Sequence, residues 1–449
     1  MRLQRSSLAF ALVLAAFSCP LWAQTVLTFD VVSHTEAPKG AQPAKGESLP
    51  RDASYPLTVT LARDFLQLDE PDTQRRFDFA RARLYDLNKR NHTYQEFSLY
   101  VILGFNVEEF ANRMTLGKSL AAAKVNAEVM APALTEHLMS LSDPANATVI
   151  DQVTRNGQTT YSWSGQTLMT VSQKTHAVSG EVLGEYLRFL RYSTGGHPQI
   201  LAAIGKGSGV PERLTVVRSS ANVETRTLTL RSVEPGPAVS WSLEGYTREV
   251  PEGEPYATLK RLPQVPAPDL AMDADLLRHQ RDDAAAVGHI FDAMLANTAV
   301  LLSVGDTSES AAWIAAHKEA LNASAASQSL ARSLTPKDAA SAAAAADTLA
   351  KLKDSAGSHR YVLDIFEANT RLALNQRGEA IDLFLAALAA DPTITGAWID
   401  LGTAYYSAFR PDRAWACWDA ARALQPTHFM LAAVDDRERK LRTDHPEFF

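Results

Sequence analysis

The sequence predicts an α+β chain: an N-terminal antiparallel, β-rich unit with helices, then an all-α unit of stacked helix pairs. Three observations predict it. From Val26 to about Gly245 apolar residues recur mainly at every second position, the period of strands that bury one face. Between Glu249 and Asp269, Pro251, Pro255, Pro263, Pro266 and Pro268 interrupt any regular ladder, as a linker does. After Asp269, Ala, Leu, Asp and Arg dominate and strand-forming clusters vanish. With 449 residues, 46% of them hydrophobic and 21% charged, the chain has material for two or three globular units.

The first 23 residues form a secretion signal by pattern. Arg2 and Arg5 supply the positive start, Leu8 to Phe17 the apolar stretch, and Leu21-Trp22-Ala23 a small residue before the cut ahead of Gln24. The apolar stretch is too short to span a bilayer, so no integral membrane segment is expected in the mature chain. A competing pattern makes Cys19 a lipidated first residue, although Phe17 and Pro20 fit it poorly. The expected location is the periplasm or the exterior. After cleavage Cys417 is the one cysteine left, so stability must come from packing and not from an intramolecular disulfide. It lies between Ala416 and Trp418, where a small buried hydrophobe is expected.

Residues 24–248 make up the β-rich unit. Leu57 to Leu61, Phe65 to Leu68 and Arg75 to Phe79 alternate or nearly so. Tyr85 to Leu87 and Thr93 to Phe97 flank the polar stretch Asn88 to Asn91, a hairpin pattern. Val149 to Thr154 and Thr159 to Trp163 enclose Asn156-Gly157, the dipeptide that best tolerates the positive φ angles of a type I′ turn. Further strands are expected over Arg213 to Arg218, Glu224 to Val233 and Ala238 to Glu244. Helices are expected at Val107 to Met114, Ala131 to Ser140 and Glu181 to Tyr192, where apolar residues fall three and four apart. Ala37 to Ser54, rich in Pro, Gly, Lys and Ser, is expected to be a loop.

A linker over 249–269 leads to a helical unit over 270–449. Thr335 is expected to cap a helix with Pro336 in its first turn, and Ala342 to Ala346 suit a helix whose neighbour approaches closely. Near the end, Trp398, Leu401, Gly402 and Tyr405 open one helix, Ala414, Trp418 and Ala421 lie along a second, and Pro426 stops it. About 34 residues earlier, Ala380, Phe384, Ala387 and Pro392 occupy the matching places. These two segments, 361–394 and 395–428, resemble the tetratricopeptide repeat. The first copy departs from that pattern, with Asp364, Glu367, Ala368 and Arg371 where the second has Trp398, Leu401, Gly402 and Tyr405. The helices from Ala274 to Lys353 are expected to complete the stack, and Phe429 to Leu441 to cap it. The resemblance implies a concave groove that holds a protein partner, presenting Ile365, Asn369 and Leu372 from one repeat and Ile399, Thr403 and Tyr406 from the next.

No chemistry-bearing constellation stands beside this surface. The eleven histidines are scattered without His-x-x-His, His-Glu-x-x-His or Cys-x-x-Cys spacing, so no metal is called for. Gly205 to Gly209 lacks the order of a phosphate-binding loop, and Ser208 lacks the setting of a nucleophile elbow. No cofactor and no catalytic residue is assigned. The net charge of −7, without a run of lysine and arginine, disfavours nucleic acid. Leu84 to Leu87, a polar turn and Thr93-Tyr94 resemble, in order and pattern, the half-barrel of periplasmic lipoprotein carriers, which implies a hydrophobic ligand under helical lids. The expectation is therefore a non-enzymatic adaptor or scaffold of the cell envelope, the alternative a carrier or sensor of a lipid-like ligand in the β-rich unit.

Overall fold

The computed structural model describes residues 24–38, 48–125, 131–143, 148–236, 241–262 and 267–449, with the side chains of 267–273 excepted. The expected signal sequence with Cys19 lies outside the described residues, as do 39–47 of the expected loop, 238–240 of the expected last strand and 263–266 of the linker.

A twelve-stranded sheet dominates the first half. Its first strands are β1 (Gln24–Glu36), β2 (Arg51–Leu61), β3 (Phe65–Asp69), β4 (Thr73–Asp78), β5 (Arg83–Asn88) and β6 (Thr93–Ser98). Then come β7 (Asp151–Arg155), β8 (Gln158–Trp163), β9 (Gln166–Ser172), the small pair β10 (Thr175–Ala177) and β11 (Gly209–Pro211), β12 (Arg213–Ser219), β13 (Val223–Gly236) and β14 (Thr247–Arg248). The order across the large sheet is β14-β6-β5-β4-β3-β2-β1-β13-β12-β9-β8-β7, and β10 pairs with β11 apart from it. Neighbours are antiparallel except β14, which runs parallel to β6.

The alternation in sequence becomes a buried face. Leu27 sits opposite Val59 and Phe29 opposite Leu57, all at most 2% exposed. The β7–β8 hairpin turns at Asn156 and Gly157 with φ of 51° and 72°, the left-handed pair that a type I′ turn requires. Arg51 to Ser54 belong to β2 and not to a loop, because they pair with Thr35 to Val32 of β1. No strand runs over Trp241 to Glu244. Trp241 instead lies across the sheet, its ring 4.5 Å from that of Tyr85, which draws the chain over the strands and not along them.

Among the described residues of this half there are four helices: α1 (Tyr100–Ala122), α2 (Pro132–Met139), α3 (Gly180–Ser193) and α4 (Pro198–Gly205). The Ser179 hydroxyl accepts from the Val182 amide and caps α3, and Leu183, Tyr186, Phe189 and Leu190 form its buried stripe. The ring of Phe189 stacks 6.0 Å from Phe29 of β1.

The second half is all-α. After the short α5 (Tyr256–Leu259) come α6 (Ala267–Ala286), α7 (Ile290–Val304), α8 (Thr307–Ala316), α9 (Lys318–Ala323) and α10 (Ala325–Ser333). There follow α11 (Ala339–Leu352), α12 (Arg360–Ala373), α13 (Arg377–Ala390), α14 (Thr395–Ser407), α15 (Pro411–Leu424) and α16 (Ala432–Asp444). The helix expected to be capped at Thr335 is capped at Asp338, where carboxylate and Ser341 hydroxyl close a reciprocal box. Its Ala342, Ala345 and Ala346 are buried.

From α10 to α15 each helix packs on the next. The helix α7 leaves this succession and packs on α10, α12 and α14. It does so at the ends where α12 and α14 begin: Asp292 Oδ1 accepts from the Gly357 amide at 3.1 Å, and Leu302 packs on Gly396 so closely that a Cβ there would meet it at 2.8 Å. The helices before α12 therefore do not all extend the stack, because α7 is strapped across it.

The two halves share one core. Tyr100 of α1 stacks on Trp415 of α15 at 6.1 Å, and a Cβ on Gly104 would fall 2.4 Å from the Trp415 ring. Arg442 Nε donates to the Tyr100 hydroxyl at 2.6 Å, and Phe448 is wholly buried beside α3.

Candidate functional site

The helix pairs α12–α13 and α14–α15 are held close by small residues. A Cβ on Gly402 would fall 2.3 Å from Trp418 Nε1, so only glycine lets the indole lie against α14. Trp418 Nε1 donates to the Ile399 carbonyl at 3.1 Å, and Trp398 Nε1 to that of Pro392 at 2.9 Å. Ala380, Ala387, Ala414 and Ala421 are at most 1% exposed, which is what close helix approach needs.

The aberrant positions of the earlier copy have their own partner. Lys353 Nζ lies 2.5 Å from Asp364 Oδ1 and 2.6 Å from Glu367 Oε2, and Arg371 Nη2 lies 2.9 Å from Glu367 Oε1. Burial pushes the Glu367 carboxyl up, but the bonds from Lys353 and Arg371 outweigh it and hold the group below its usual value. An ion cluster thus stands where the later copy uses aromatic packing.

The six residues expected in the groove divide. Asn369 and Thr403 are exposed, and Leu372 is half-buried. Ile365 and Ile399 are 1% and 4% exposed, inside the core and in the helix halves nearest α7. Tyr406 is 9% exposed: the Arg437 guanidinium lies 4.0 Å above its ring, and Trp415 and Trp418 flank it at 5.6 and 5.7 Å. What reaches solvent from α12 and α14 is thus a polar strip. Its floor is Asp400, whose Oδ2 accepts from Asn369 Nδ2 at 2.7 Å. Burial raises the Asp400 carboxyl to about 6, with the Asn369 bond opposing the rise. Asp400 precedes Thr403 by three residues, so helical spacing places it on the Thr403 face.

A cleft of about 670 Å³ opens where the β6 edge of the sheet meets α5 and α15. Ala416, Ala420 and Ala423 line it along one side of α15, and Phe97, Leu259 and Leu262 line it as well. Its charged side pairs internally: Arg83 bonds to Asp419 and lies 3.6 Å from Glu96, which lies 3.3 Å from Arg248. Nothing in the sequence marked this cleft, since its walls come from three segments far apart in the chain, Arg83 to Ser98, Arg248 to Leu262 and Asp412 to Leu424.

Elsewhere buried polar groups serve packing. His197 accepts the Gln199 amide on Nδ1, so its Nε2 carries the proton and donates to Glu136 Oε2 at 2.8 Å. His137 accepts the His197 amide on Nδ1 and donates from Nε2 to the Val217 carbonyl at 3.1 Å. Burial lowers its pKa to about 4. Cys417 is wholly buried, which raises its thiol pKa well above the usual value. Between the sheet and α3, the space a carrier would give its ligand holds Phe29, Tyr186, Phe189 and Leu190, each at most 2% exposed. Among the described residues no cluster of His, Cys, Asp and Glu suits a metal ion, and no helix is long and apolar enough to cross a membrane.

No family model and no curated protein matches the chain. Among solved structures it is similar to one described as "lipid-protein interactions in lipovitellin", at 10% identity and a TM-score of 0.17, over 85% of this chain and 48% of that one. The chain thus spans about half the length of that structure, and a superposition at this score establishes no common fold.

Proposed function

We propose that the protein is a non-enzymatic docking protein of the cell envelope, secreted by its N-terminal signal, which holds a protein partner on the tetratricopeptide-like strip of α12 and α14. The observation that carries this is the strip itself. Asn369, Asp400 and Thr403 form a polar surface on helices otherwise closed by packing, and Asp400, half-buried, has one hydrogen bond and no ion-pair partner among the described residues, with a carboxyl whose charge desolvation makes costly. A partner donor or cation over Asp400 offsets that cost on binding.

The test places a photo-reactive residue at Thr403, whose exposure spares the core, and irradiates cells that make the protein. One discrete adduct, lost when Asn369→Arg is added to a chain of unchanged circular dichroism, supports docking here. No adduct, or one indifferent to Asn369→Arg, removes the strip from the interface.

A further inference from the structure

We infer that the cleft between the β6 edge, α5 and α15 binds a small amphiphile of zero net charge, its apolar body along the alanine side of α15. This site is separate from the docking strip.

The cleft is built for such a body. Ala416, Ala420 and Ala423 recur at four and three residues, so they share one face of α15 and leave open the space that larger side chains fill. Phe97, Leu259 and Leu262 complete the apolar part of the lining. At about 670 Å³ it has the size of a small-ligand pocket, and it lies where two structural units meet, a common place for one.

The charges select against a net ion. Arg83 with Asp419 and Arg248 with Glu96 neutralise each other within the wall. Asp412, also in the lining, lies 3.8 Å from Arg410 Nε, a cation outside the lining. Lys260 and Glu249 then remain, one of each sign, both exposed and both lining the cleft. A ligand with a net charge meets attraction from one and repulsion from the other, whereas a zwitterionic head matches both. Tyr256 adds a polar point. It lines the cleft at 6% exposure, and its buried hydroxyl has no hydrogen-bond partner among the described residues, a need that a ligand oxygen or nitrogen reaching it would meet.

The test is calorimetric titration of the purified full-length chain with dodecylphosphocholine below its micellar concentration. Saturable binding is expected. Ala423→Trp, at an exposed position, should fill the cleft and abolish binding, and Tyr256→Phe should weaken it about fivefold, the worth of one hydrogen bond. Laurate and dodecyltrimethylammonium should each bind about tenfold more weakly. Absence of saturable binding, or equal binding by Ala423→Trp, overturns the site. Equal affinity for either ionic probe overturns the charge assignment. Loss of photo-adduct formation at Thr403 with the calorimetry intact speaks against the docking strip alone, so the two readings fail separately.

Discussion

The ring of Phe448 stands edge-on to that of Tyr192, 5.6 Å between centroids and 89° between planes. Tyr192 belongs to α3 and itself packs 4.6 Å from Phe77 of the sheet. A residue that follows the whole helical half is thereby part of the core of the β-rich half.

Phe448→Ala should cost about 3–5 kcal/mol, the usual range for a fully buried phenylalanine. Because the core is continuous, urea unfolding followed by tryptophan fluorescence and by far-ultraviolet circular dichroism should give coincident transitions. Two separated transitions in the unmutated chain would contradict the shared core.

Glycine positions with different surroundings should respond with opposite signs. Gly402→Ala forces a Cβ onto the Trp418 indole and should destabilise by about 1–3 kcal/mol. Gly378, in the first turn of α13, has nothing within 4 Å of the point where an alanine methyl would stand, so Gly378→Ala should stabilise by about 0.5–1 kcal/mol. Melting temperatures of the two variants decide the matter.

Removing the amine from the ion cluster should be costly. Lys353→Met leaves the Asp364 carboxylate, 15% exposed, without its cation and Glu367, 6% exposed, with Arg371 alone, a loss of about 3–5 kcal/mol. Adding Glu367→Gln should restore part of it, and a double-mutant cycle measures the coupling.

Two buried groups give stability opposite slopes with pH. His137 has a folded pKa of about 4 against 6.5 ordinarily, so its contribution is complete above 6.5 and is lost as pH falls towards 4. Glu185 has a folded pKa of about 7 against 4.5, raised by burial and by Glu181 and Asp64, with Arg188 opposing. Its contribution is complete below 4.5 and is lost as pH rises through 7. Glu185→Gln should therefore gain about 2 kcal/mol more stability at pH 8 than at pH 5 relative to the parent chain, read from urea midpoints. An equal gain at both values would show that Glu185 is ionised at pH 5.

Local chemistry is legible where it acts alone. Asn156-Gly157 announces its hairpin, and Gly402 with Trp418 announces a close helix pair. What escapes depends on distant partners. The linker reading of 249–269 rests on prolines, yet Tyr256 in that stretch is anchored against α13 and α15 through α5, and α6 begins at Ala267. Strand β9 goes unmarked although Ser164-Gly165, with φ of 49° and 80°, turns the chain into it as Asn156-Gly157 does into β8. Of the polar strip proposed for docking, the exposure of Asn369 and Thr403 follows from the expected repeat positions. The burial of Ile365 and Ile399 does not, because the strap α7 comes from outside the repeats and carries no repeat signature.

Strand β1 lies in the middle of the sheet, bonded to β2 on one side and to β13 on the other. Gln24 there faces Gly236, a closure of more than 200 residues. A growing chain can zip β1 through β6 as they emerge, but the other side of β1 stays open until β13 arrives. Until then its unpaired amides and carbonyls are a template for any passing strand. Such long-range pairing folds slowly. Fragments that stop before Val223 should collect in aggregates, and the intact chain should gain from a holding chaperone during its biogenesis.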